Sequence, residues 1–509
     1  MHGMLDNLLD FIRKDGLSKQ LEHSFLGIEV EEHRIDRKGR LSRNPHPQKL
    51  GSRDYHPYLQ SDFAESQSEI ITDPLSSVED VMQQLNTLQT VLAYSLQNDD
   101  RIWPFSMPPA LDESDRHFIA KHFDRPAYKE YRDYLIEKYG VARKIITGVH
   151  VNYSIPDSFF AHLYQHYQHD FESLTSFKNM LYFRITQNFV LHRWLLTYLF
   201  GASPIPEAGF FADASDPCWT HPVRSIRNSR FGYVNDSADH VNVTLYSSFD
   251  SFVSGIETAV EDHHLFGPAE FYGPVRLRGQ ERLNEYRSKG ISYLEFRVFD
   301  NDPFSANGIS RDTLVFLKIF LLYLLLAPVD EQNIEDKLKE AFDENDRVAL
   351  ERPDKPTFKQ REGIVILEKM TKLVKDVGVA DHDIFTVLQK FTDILAHPQL
   401  TPAARLLPFV NDGSLREKGV EIASAHKKAM IKSDALLPSL SNFAHQTQTL
   451  IFKSVELGIR YTVRKSQSNK EVVNLTSGEI TRKLKLEDYK EITLDNSEKY
   501  LRELFPTLK

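Results

Sequence analysis

The chain has 509 residues, with 62 lysines and arginines against 72 aspartates and glutamates, and a formal net charge of −10. This acidic balance argues against a nucleic-acid-binding protein, which typically carries a basic surface, although clustered arginines or a divalent cation can still attract an anion to one site. At roughly 150 residues per domain, the length fits either several domains or one large enzyme domain with insertions. The single cysteine, Cys218, excludes an internal disulfide and cysteine-only zinc sites, and is typical of a reducing cytosol.

The N-terminal segment does not resemble a targeting signal. It carries Asp6 and Asp10 and lacks the basic region of a signal peptide, and its apolar residues recur at the spacing of an amphipathic helix. The most apolar stretch, 313–327, is shorter than the ~20 residues that a membrane span needs and contains Lys318. We therefore predict a buried core helix there, and expect a cytoplasmic protein without a membrane partner.

The chain divides by its pattern near Ile309. Before this residue, short alternating segments mix with long helical ones at 78–96 and 181–200, without a βαβ rhythm or a GxGxxG turn. This favours an α+β fold with an antiparallel or mixed sheet. After it, helices are predicted at 310–326, 331–342, 359–375, 382–396, 415–431 and 437–457. The basic segment 460–484 fits either a hairpin or a loose, solvated surface segment.

Four segments place ionisable or amide side chains on one face of a predicted strand, because residues i and i+2 project to the same side. The pairs are Glu29 and Glu31 in 25–31, His150 and Asn152 in 148–155, Glu295 and Arg297 in 293–299, and Asp62 with Glu69 in 61–73. Asp62 and Glu69 are an odd number of residues apart, so a turn or bulge must lie between them if both serve one site.

Each strand taken alone fits a half-solvated sheet. If the four converge, however, they gather up to five carboxylates, whose mutual repulsion calls for a cation. Such oxygen-rich ligands suit Mg²⁺ or Mn²⁺, while the lack of HExxH and of further cysteines disfavours zinc. Carboxylates, a divalent metal and arginine are what phosphoryl transfer requires. Since there is no GxxxxGK[ST] loop, the residues indicate a metal-dependent and nucleotide-dependent enzyme of another type.

A series of short motifs resembles bacterial glutamate–cysteine ligase, of the type related to glutamine synthetase. In chain order they are GIEVE (27–31), DFAES followed by Glu69 (62–69), WPFSMP (103–108), YRDYLIEKYG (131–140), TGVHVNYSIP (147–156), YLFGASP (198–204), SIRNSRFGYVN (225–235), FYGPVR (271–276) and LEFRVFDNDPFS (294–305). Their number, order and spacing make the combination specific over about three-fifths of the chain. Nothing distinctive follows Ala327.

The resemblance implies a curved, mainly antiparallel six-stranded sheet surrounded by helices, with residues 1–327 as the catalytic core and residues 328–509 as a mostly helical region packed on it. It also implies the joining of L-glutamate to L-cysteine with ATP, through a γ-glutamyl phosphate, to give γ-glutamylcysteine, ADP and phosphate. The expected partners are these small molecules, with no nucleic acid and no membrane, and the expected state is a monomer. The chain lacks a recognisable second nucleotide-binding module, so we expect no fusion that also adds glycine.

The same resemblance implies roles for individual residues. The implied Mg²⁺ ligands are Glu29, Glu31, Asp62, Glu69, His150 and Glu295. Arg297 would steady the transferring phosphoryl group beside Glu295, and Arg227 would bind a substrate carboxylate, for which a guanidinium is suited. The implied substrate-binding residues further include Tyr131, Tyr233, Tyr272, Asn152 and Arg276. Each tyrosine alone also fits a core or rim aromatic, and Arg276 equally fits a cap on a surface loop.

Two alternatives remain open from the sequence. A related γ-glutamyl ligase with a different amine acceptor would share the metal ligands and differ only around the three tyrosines. A non-catalytic homologue that retained the fold is the other alternative. Val30 stands where the family often has arginine, which leaves the carboxylates in place but changes the local charge. Cys218 is interpreted as a lone thiol, since the implied chemistry needs no enzyme thiol.

Overall fold

The structure of the chain is a computed structural model. The structure describes residues 7–97, 99–118, 126–212, 221–235, 241, 243–378, 382–431, 434–506 and 508. Cys218 and the first six residues lie outside the described residues.

The main sheet contains seven strands, six of them in one continuous path. The strands are β1 (Phe25–Ile35), β2 (Leu59–Ser61), β3 (Gln67–Ile71), β4 (Arg101–Ile102), β5 (Val149–Ser154), β6 (Val275–Arg278) and β7 (Tyr293–Phe299). Their order is β2-β3-β1-β5-β7-β6, all neighbours are antiparallel, and the short β4 pairs with the end of β1. The predicted α+β class with a six-stranded antiparallel sheet is confirmed, with β4 as an addition.

Alternation along the strands, interrupted by one bulge, gives this sheet one apolar and one polar face. Ile28, Val151 and Phe296 belong to the largest hydrophobic cluster, and the ring of Phe296 lies 4.4 Å from that of Phe189 on the covering helix. A bulge in the pairing of β5 with β7 falls between Val149 and Val151, and bulges bend the strand that carries them. The apolar face is therefore closed by helices, while the polar face carries the candidate site.

Helices make up most of the remaining described chain. They are α1 (Leu8–Lys14), α2 (Ser18–Glu22), α3 (Val78–Ser95), α4 (Glu113–Phe118), α5 (Pro126–Tyr139), α6 (Val141–Lys144), α7 (Asp157–Tyr167), α8 (Leu174–Phe200), α9 (Phe249–Glu261), α10 (Glu285–Lys289), α11 (Arg311–Leu326), α12 (Ile334–Leu350), α13 (Gln360–Val377), α14 (His382–Ala396), α15 (Pro402–Leu406), α16 (Arg416–Ile431), α17 (His445–Glu456) and α18 (Leu494–Leu504).

Three predicted helix boundaries differ from the structure for local reasons. Helix α8 begins seven residues earlier than predicted, because Ser173 and Ser176 form a reciprocal capping box. The predicted helix at 331–342 begins as a 3₁₀ turn and then runs on to Leu350. The predicted helix at 437–457 starts only at His445, because Pro438 leads a separate 3₁₀ turn.

Helix α11 is buried on nearly all sides, as predicted for the most apolar stretch. Its one lysine, Lys318, is anchored by its ammonium group, which donates hydrogen bonds to the carbonyl oxygens of Glu22, Ser24 and Ser76 at 2.5–3.1 Å. Among the described residues no single helix is long and apolar enough to cross a membrane; only α11 together with 331–350 reaches the required length and composition, and this pair is bent by 94°.

The basic segment near the C-terminus forms a three-stranded antiparallel sheet. Its strands are β8 (Arg460–Lys465), β9 (Glu471–Ser477) and β10 (Ile480–Lys485), in the order β10-β9-β8. Tyr461 on β8 packs edge-on against Tyr58, 6.1 Å between ring centres, and its backbone N–H donates to the Tyr58 hydroxyl at 3.0 Å. The segment is thus an ordered sheet attached to the main fold, rather than a single hairpin or a loose segment.

Candidate functional site

The strand register brings the predicted polar residues onto neighbouring positions. Glu31 on β1 lies opposite Glu69 on β3, and Glu29 lies opposite His150 on β5. On the other side of β5, Asn152 lies opposite Glu295, which in turn lies opposite Arg276 on β6. Since directly opposed residues on one face have Cβ atoms about 4.5–5.5 Å apart, the four predicted polar faces form one continuous surface.

His150 lies at the centre of this surface. Its Nδ1 is 3.4 Å from Glu29 Oε2 and 3.7 Å from Glu295 Oε1, and its Nε2 is 3.7 Å from Glu31 Oε1. One ligand atom each from Glu29, His150 and Glu295 lies within 4.8 Å of the other two. Burial, then the positive charge of Arg297, holds the pKa of His150 well below its ordinary value, so the imidazole is neutral and able to ligate a cation.

The carboxylates for which a pKa shift is resolved fall into two groups, one with raised and one with lowered pKa values. Burial raises the pKa of Glu31 well above its ordinary value, and the nearby charge of Asp62 raises it further. Burial also raises the pKa of Glu69, with additional repulsion from Asp62, and the pKa of Asp62 itself. For Glu295, burial alone would raise the pKa, but the charges of Arg297 and Arg276 outweigh it and hold the pKa below its ordinary value.

This donor set fits a divalent cation. The predicted ligands supply carboxylate oxygens and one neutral imidazole, whose buried Nε2 has no hydrogen-bond partner. Several like charges on one partly buried surface repel unless a cation or protons compensate them, and oxygen-rich ligands select Mg²⁺ or Mn²⁺. Three of the six predicted ligands, Glu29, His150 and Glu295, thus lie close enough together to hold one divalent cation.

Asp62 lies in the turn between β2 and β3, beside the polar face of the sheet. Its Oδ2 accepts a hydrogen bond from Gln67 Nε2 at 2.9 Å, and its carbonyl oxygen accepts one from the guanidinium of Arg132. The turn that the odd spacing of Asp62 and Glu69 requires is thus present. Glu65 in the same turn faces elsewhere, since it pairs with Arg53 and accepts from the backbone N–H of His46 at 2.7 Å.

Two buried arginines lie beside the carboxylates. Arg297 donates to Glu295, and its Nη2 donates to the hydroxyl of Tyr233 at 2.5 Å. Arg227 is only 2% exposed; its Nη1 donates to the carbonyl oxygen of Arg297 at 2.8 Å, while its buried Nε has no partner. Arg227 thus has donor capacity available for a ligand.

The three predicted tyrosines share one hydrophobic cluster with Phe63 and Leu135. The rings of Tyr233 and Tyr272 are 4.9 Å apart, and Tyr131 packs 5.2 Å from the ring of Phe266. Tyr233 and Tyr272 also line a cavity together with Arg227 and Arg297.

Asn152 and Arg276 contact protein groups in the structure. Asn152 Nδ2 donates to Glu29 Oε1 at 2.8 Å and so orients that carboxylate. Arg276 donates to the carbonyl oxygens of Phe271 and Ala269 at 2.8 and 2.5 Å. Its guanidinium therefore caps the preceding loop, and its charge also acts on Glu295.

Three further charged residues were missed by the sequence reasoning. Arg278 on β6 lies 3.1 Å from Glu295 Oε2, and its two-residue spacing from Arg276 is a strand signal that would have identified it. Arg132 contacts the Asp62 turn and directly follows the predicted Tyr131. Lys144 lies 3.7 Å from the ring centre of Tyr272, and no local pattern marks it.

The fold and the site place the chain in a class of α+β enzymes whose antiparallel sheet carries a centre for a cation and anionic ligands. The glutamate–cysteine ligase family model matches residues 9–267 and 261–348, which is more than half of the chain. The chain therefore belongs to the glutamate–cysteine ligase family, a family of ligases, as the motifs predicted.

Curated relatives and solved structures agree with this family. The glutathione biosynthesis bifunctional protein GshAB of Streptococcus thermophilus is 36% identical over 443 residues, which are 87% of this chain and 57% of the relative. GshAB of Pasteurella multocida is 32% identical over 452 residues, or 88% and 58%. The chain thus spans less than two thirds of the length of these relatives.

Two solved structures share the fold. The crystal structure of a bifunctional glutathione synthetase from Pasteurella multocida matches with a TM-score of 0.85 at 30% identity, over 94% of this chain and 62% of that one. Glutamate–cysteine ligase from Francisella tularensis, solved in complex with AMP, matches with a TM-score of 0.74 over 85% of this chain and 92% of that one. At 21% identity, the second likeness concerns the fold alone.

Proposed function

We propose that the protein joins the γ-carboxylate of L-glutamate to the amine of L-cysteine in an ATP-dependent reaction through γ-glutamyl phosphate, giving γ-glutamylcysteine, ADP and phosphate. The observation that carries the proposal is the grouping of Glu29, His150 and Glu295 within 4.8 Å, with Arg297 bound to Glu295 on the same sheet face. Membership of the glutamate–cysteine ligase family supports the choice of reaction.

The proposed cofactor is Mg²⁺, with Mn²⁺ as an alternative, held by Glu29, Glu31, Asp62, Glu69, His150 and Glu295. When bound, the cation supplies positive charge that allows carboxylate and phosphate anions to approach one another. Asn152 holds the Glu29 carboxylate by the 2.8 Å hydrogen bond described above. His150 stays neutral because of its burial, so it offers a nitrogen lone pair rather than a competing charge.

Arg297 is proposed to stabilise negative charge on the transferring phosphoryl group. It is 7% exposed, and the surrounding charges of Tyr233 and Glu295 outweigh burial and raise its pKa, so it remains cationic throughout. Preorganised charges in such water-poor sites are worth far more than in bulk water. Its bonds to Glu295 and Tyr233 fix the guanidinium before substrate arrives.

Substrate recognition is assigned to Arg227 and the tyrosine pocket. Arg227 has an unpartnered buried Nε and would bind a substrate carboxylate. Tyr131, Tyr233 and Tyr272 would enclose the acceptor side chain, which is supported by their packing in one hydrophobic cluster. Arg276 would act on bound phosphate through its charge, since its hydrogen bonds go to loop carbonyls.

We also propose that residues 1–327 form the catalytic core and that residues 328–509 pack on it. The continuous hydrophobic cluster, which includes Leu8, Phe316, Leu450 and Phe505, supports this arrangement. The proposed enzyme is a cytoplasmic monomer that acts on these small molecules. The acidic net charge supports the proposal that nucleic acid is not among its ligands.

The test is phosphate release by the purified chain with Mg²⁺, ATP and glutamate, with and without cysteine. We expect release that depends on all four components, and 2-aminobutyrate should replace cysteine because it has nearly the same shape. If both amines fail and another works, the related γ-glutamyl ligase is the correct function. If no amine stimulates ATP turnover, the enzyme proposal is wrong and the non-catalytic alternative stands.

A further inference from the structure

Arg193 on α8 is a buried cation with no role in the site described so far. Its surface is 8% exposed, and its guanidinium carbon lies 4.0 Å from the ring centre of Phe342 on α12. Within the part of the chain that the structure describes, it forms no hydrogen bond or ion pair, and its Nε is buried without a partner. A buried charge that no ion-pair partner contacts is costly, so Arg193 is suited to receive an anion.

The Arg193 side chain lines a cavity of about 320 Å³, which the catalytic arginines Arg227 and Arg297 also line. Its lining further includes Phe342 and Tyr233. At about 30 Å³ per water molecule, this volume holds about ten waters, which is room for a small organic anion. A ligand there therefore has Arg193 and the two catalytic arginines among the residues that surround it.

Of the described residues that line the cavity, two are acidic, and neither forms an ion pair with Arg193, although the charge of Asp346 acts to raise the pKa of Arg193 against the larger effect of burial. Asp346 is engaged by Arg230, whose Nη1 lies 2.6 Å from Asp346 Oδ2 and whose backbone N–H donates to Oδ1 at 2.7 Å. Asp343 is exposed to solvent on α12. Burial lowers the pKa of Arg193 to about 10, so the side chain is charged at neutral pH.

We propose that this cavity is an anion subsite, in which Arg193 binds a carboxylate or phosphate group of a small ligand that also contacts Arg227 or Arg297. The inference deepens the proposed function and rests on it for the identity of the neighbouring catalytic site. The ligand class is a small molecule with two anionic groups, one for Arg193 and one for Arg227 or Arg297. A dicarboxylate such as succinate should therefore bind more tightly than acetate, while inorganic phosphate probes the Arg193 contact alone.

The experiment measures binding without turnover, by isothermal titration of the whole chain in the absence of ATP and divalent metal. The probes are inorganic phosphate, succinate with two carboxylates, and acetate with one. We expect succinate or phosphate to bind, and the substitution Arg193→Met to weaken that binding at least tenfold. Arg193→Lys, which retains the charge, should lose less. Preference for phosphate identifies a phosphoryl ligand, and preference for succinate identifies a carboxylate ligand.

Arg287→Met is the matched control, because it removes the same charge from an exposed arginine on α10. It should leave the binding of every probe unchanged. Equal affinities of wild type and Arg193→Met, or no binding of any probe to wild type, overturn the inference. Should Arg193→Met fail to fold, a crystal structure of the wild type with succinate or phosphate decides: an anion must contact the Arg193 guanidinium, and its absence refutes the subsite.

The two proposals fail in different ways. If cysteine-dependent phosphate release occurs but no anion binds at Arg193, the subsite is refuted and the proposed function stands. If anions bind through Arg193 but no amine stimulates ATP turnover, the subsite stands and the proposed function is refuted.

Discussion

The substitution Gly148→Ala tests whether Arg227 binds a substrate carboxylate. Gly148 directly precedes β5, and its carbonyl oxygen accepts a hydrogen bond from the backbone N–H of Glu31 at 3.0 Å. A Cβ atom at this position would overlap the guanidinium of Arg227 at Nε, Cζ and Nη2, far inside the ~3.5 Å at which non-bonded heavy atoms meet. The guanidinium must therefore move by about 1 Å to restore ordinary contact.

This displacement sets the size of the expected effect. The bond from Arg227 Nη1 to the carbonyl oxygen of Arg297 is 2.8 Å long, so a shift of about 1 Å takes it beyond hydrogen-bond range. A misplacement of ~1 Å can cost as much as 10²-fold in rate. We expect kcat/KM for the substrate whose carboxylate Arg227 binds to fall at least tenfold, or about 1.4 kcal/mol.

The assay is steady-state phosphate release with each substrate varied in turn, together with a thermal melt. Gly27→Ala on β1 is the control, because its Cβ would meet ordinary contacts at 3.6–3.9 Å and should change neither kinetics nor melting. The expected Gly148→Ala protein melts as a folded protein but has an altered KM for one substrate. Unchanged kinetic constants in a folded Gly148→Ala protein would refute the role of Arg227.

Three further predictions follow from buried polar groups. Glu295→Gln should reduce turnover at least 100-fold with little change in melting temperature, and near-normal turnover would remove Glu295 from the metal site. Lys318→Met should lower the free energy of unfolding by about 1–3 kcal/mol, because three carbonyl acceptors lose their donor; denaturant unfolding beside an exposed Lys369→Met control measures this. Burial lowers the pKa of His56 to about 4, so the unfolded chain binds more protons between about pH 6.5 and pH 4. As the pH falls from about 6.5 to about 4, protonation of His56 in the unfolded chain should lower the free energy of unfolding by roughly 3 kcal/mol. Denaturant unfolding at several pH values measures this, and an equally steep fall in His56→Gln would contradict the assignment.

The sequence predicted the polar face of the sheet because that information is local. Alternation places Glu29 beside Glu31 and Glu295 beside Arg297 on one side of each strand, whatever the strands pair with. Which strand lies next to which is a non-local property, and the resemblance implied only a six-stranded antiparallel sheet without a strand order. The pairing of Glu29 with His150, which the site needs, was therefore beyond the reach of periodicity alone.

Residues outside these motifs were harder to find for the same physical reason. Arg193 lies within α8, whose pattern is apolar on most sides. The local sequence therefore does not show whether the guanidinium is buried or extends to solvent along an apolar surface. The three-stranded C-terminal sheet was ambiguous because its strands expose many polar residues, and a flat polar pattern specifies pairing weakly.

The order of the strands separates negative from positive side chains across the site, which the net charge of −10 for the whole chain does not show. Across the sheet, the carboxylates Glu69, Glu31 and Glu29 lie on β3 and β1, and the neutral His150 and Asn152 lie on β5. Glu295 and Arg297 lie on β7, followed by Arg276 and Arg278 on β6. One side of β5 therefore attracts cations and the other attracts anions, with the charged residues one or two strand spacings of ~4.8 Å away. A phosphoryl group over β7 would have arginines on one side and the proposed cation site on the other, as the proposed ATP-dependent activation of a carboxylate requires.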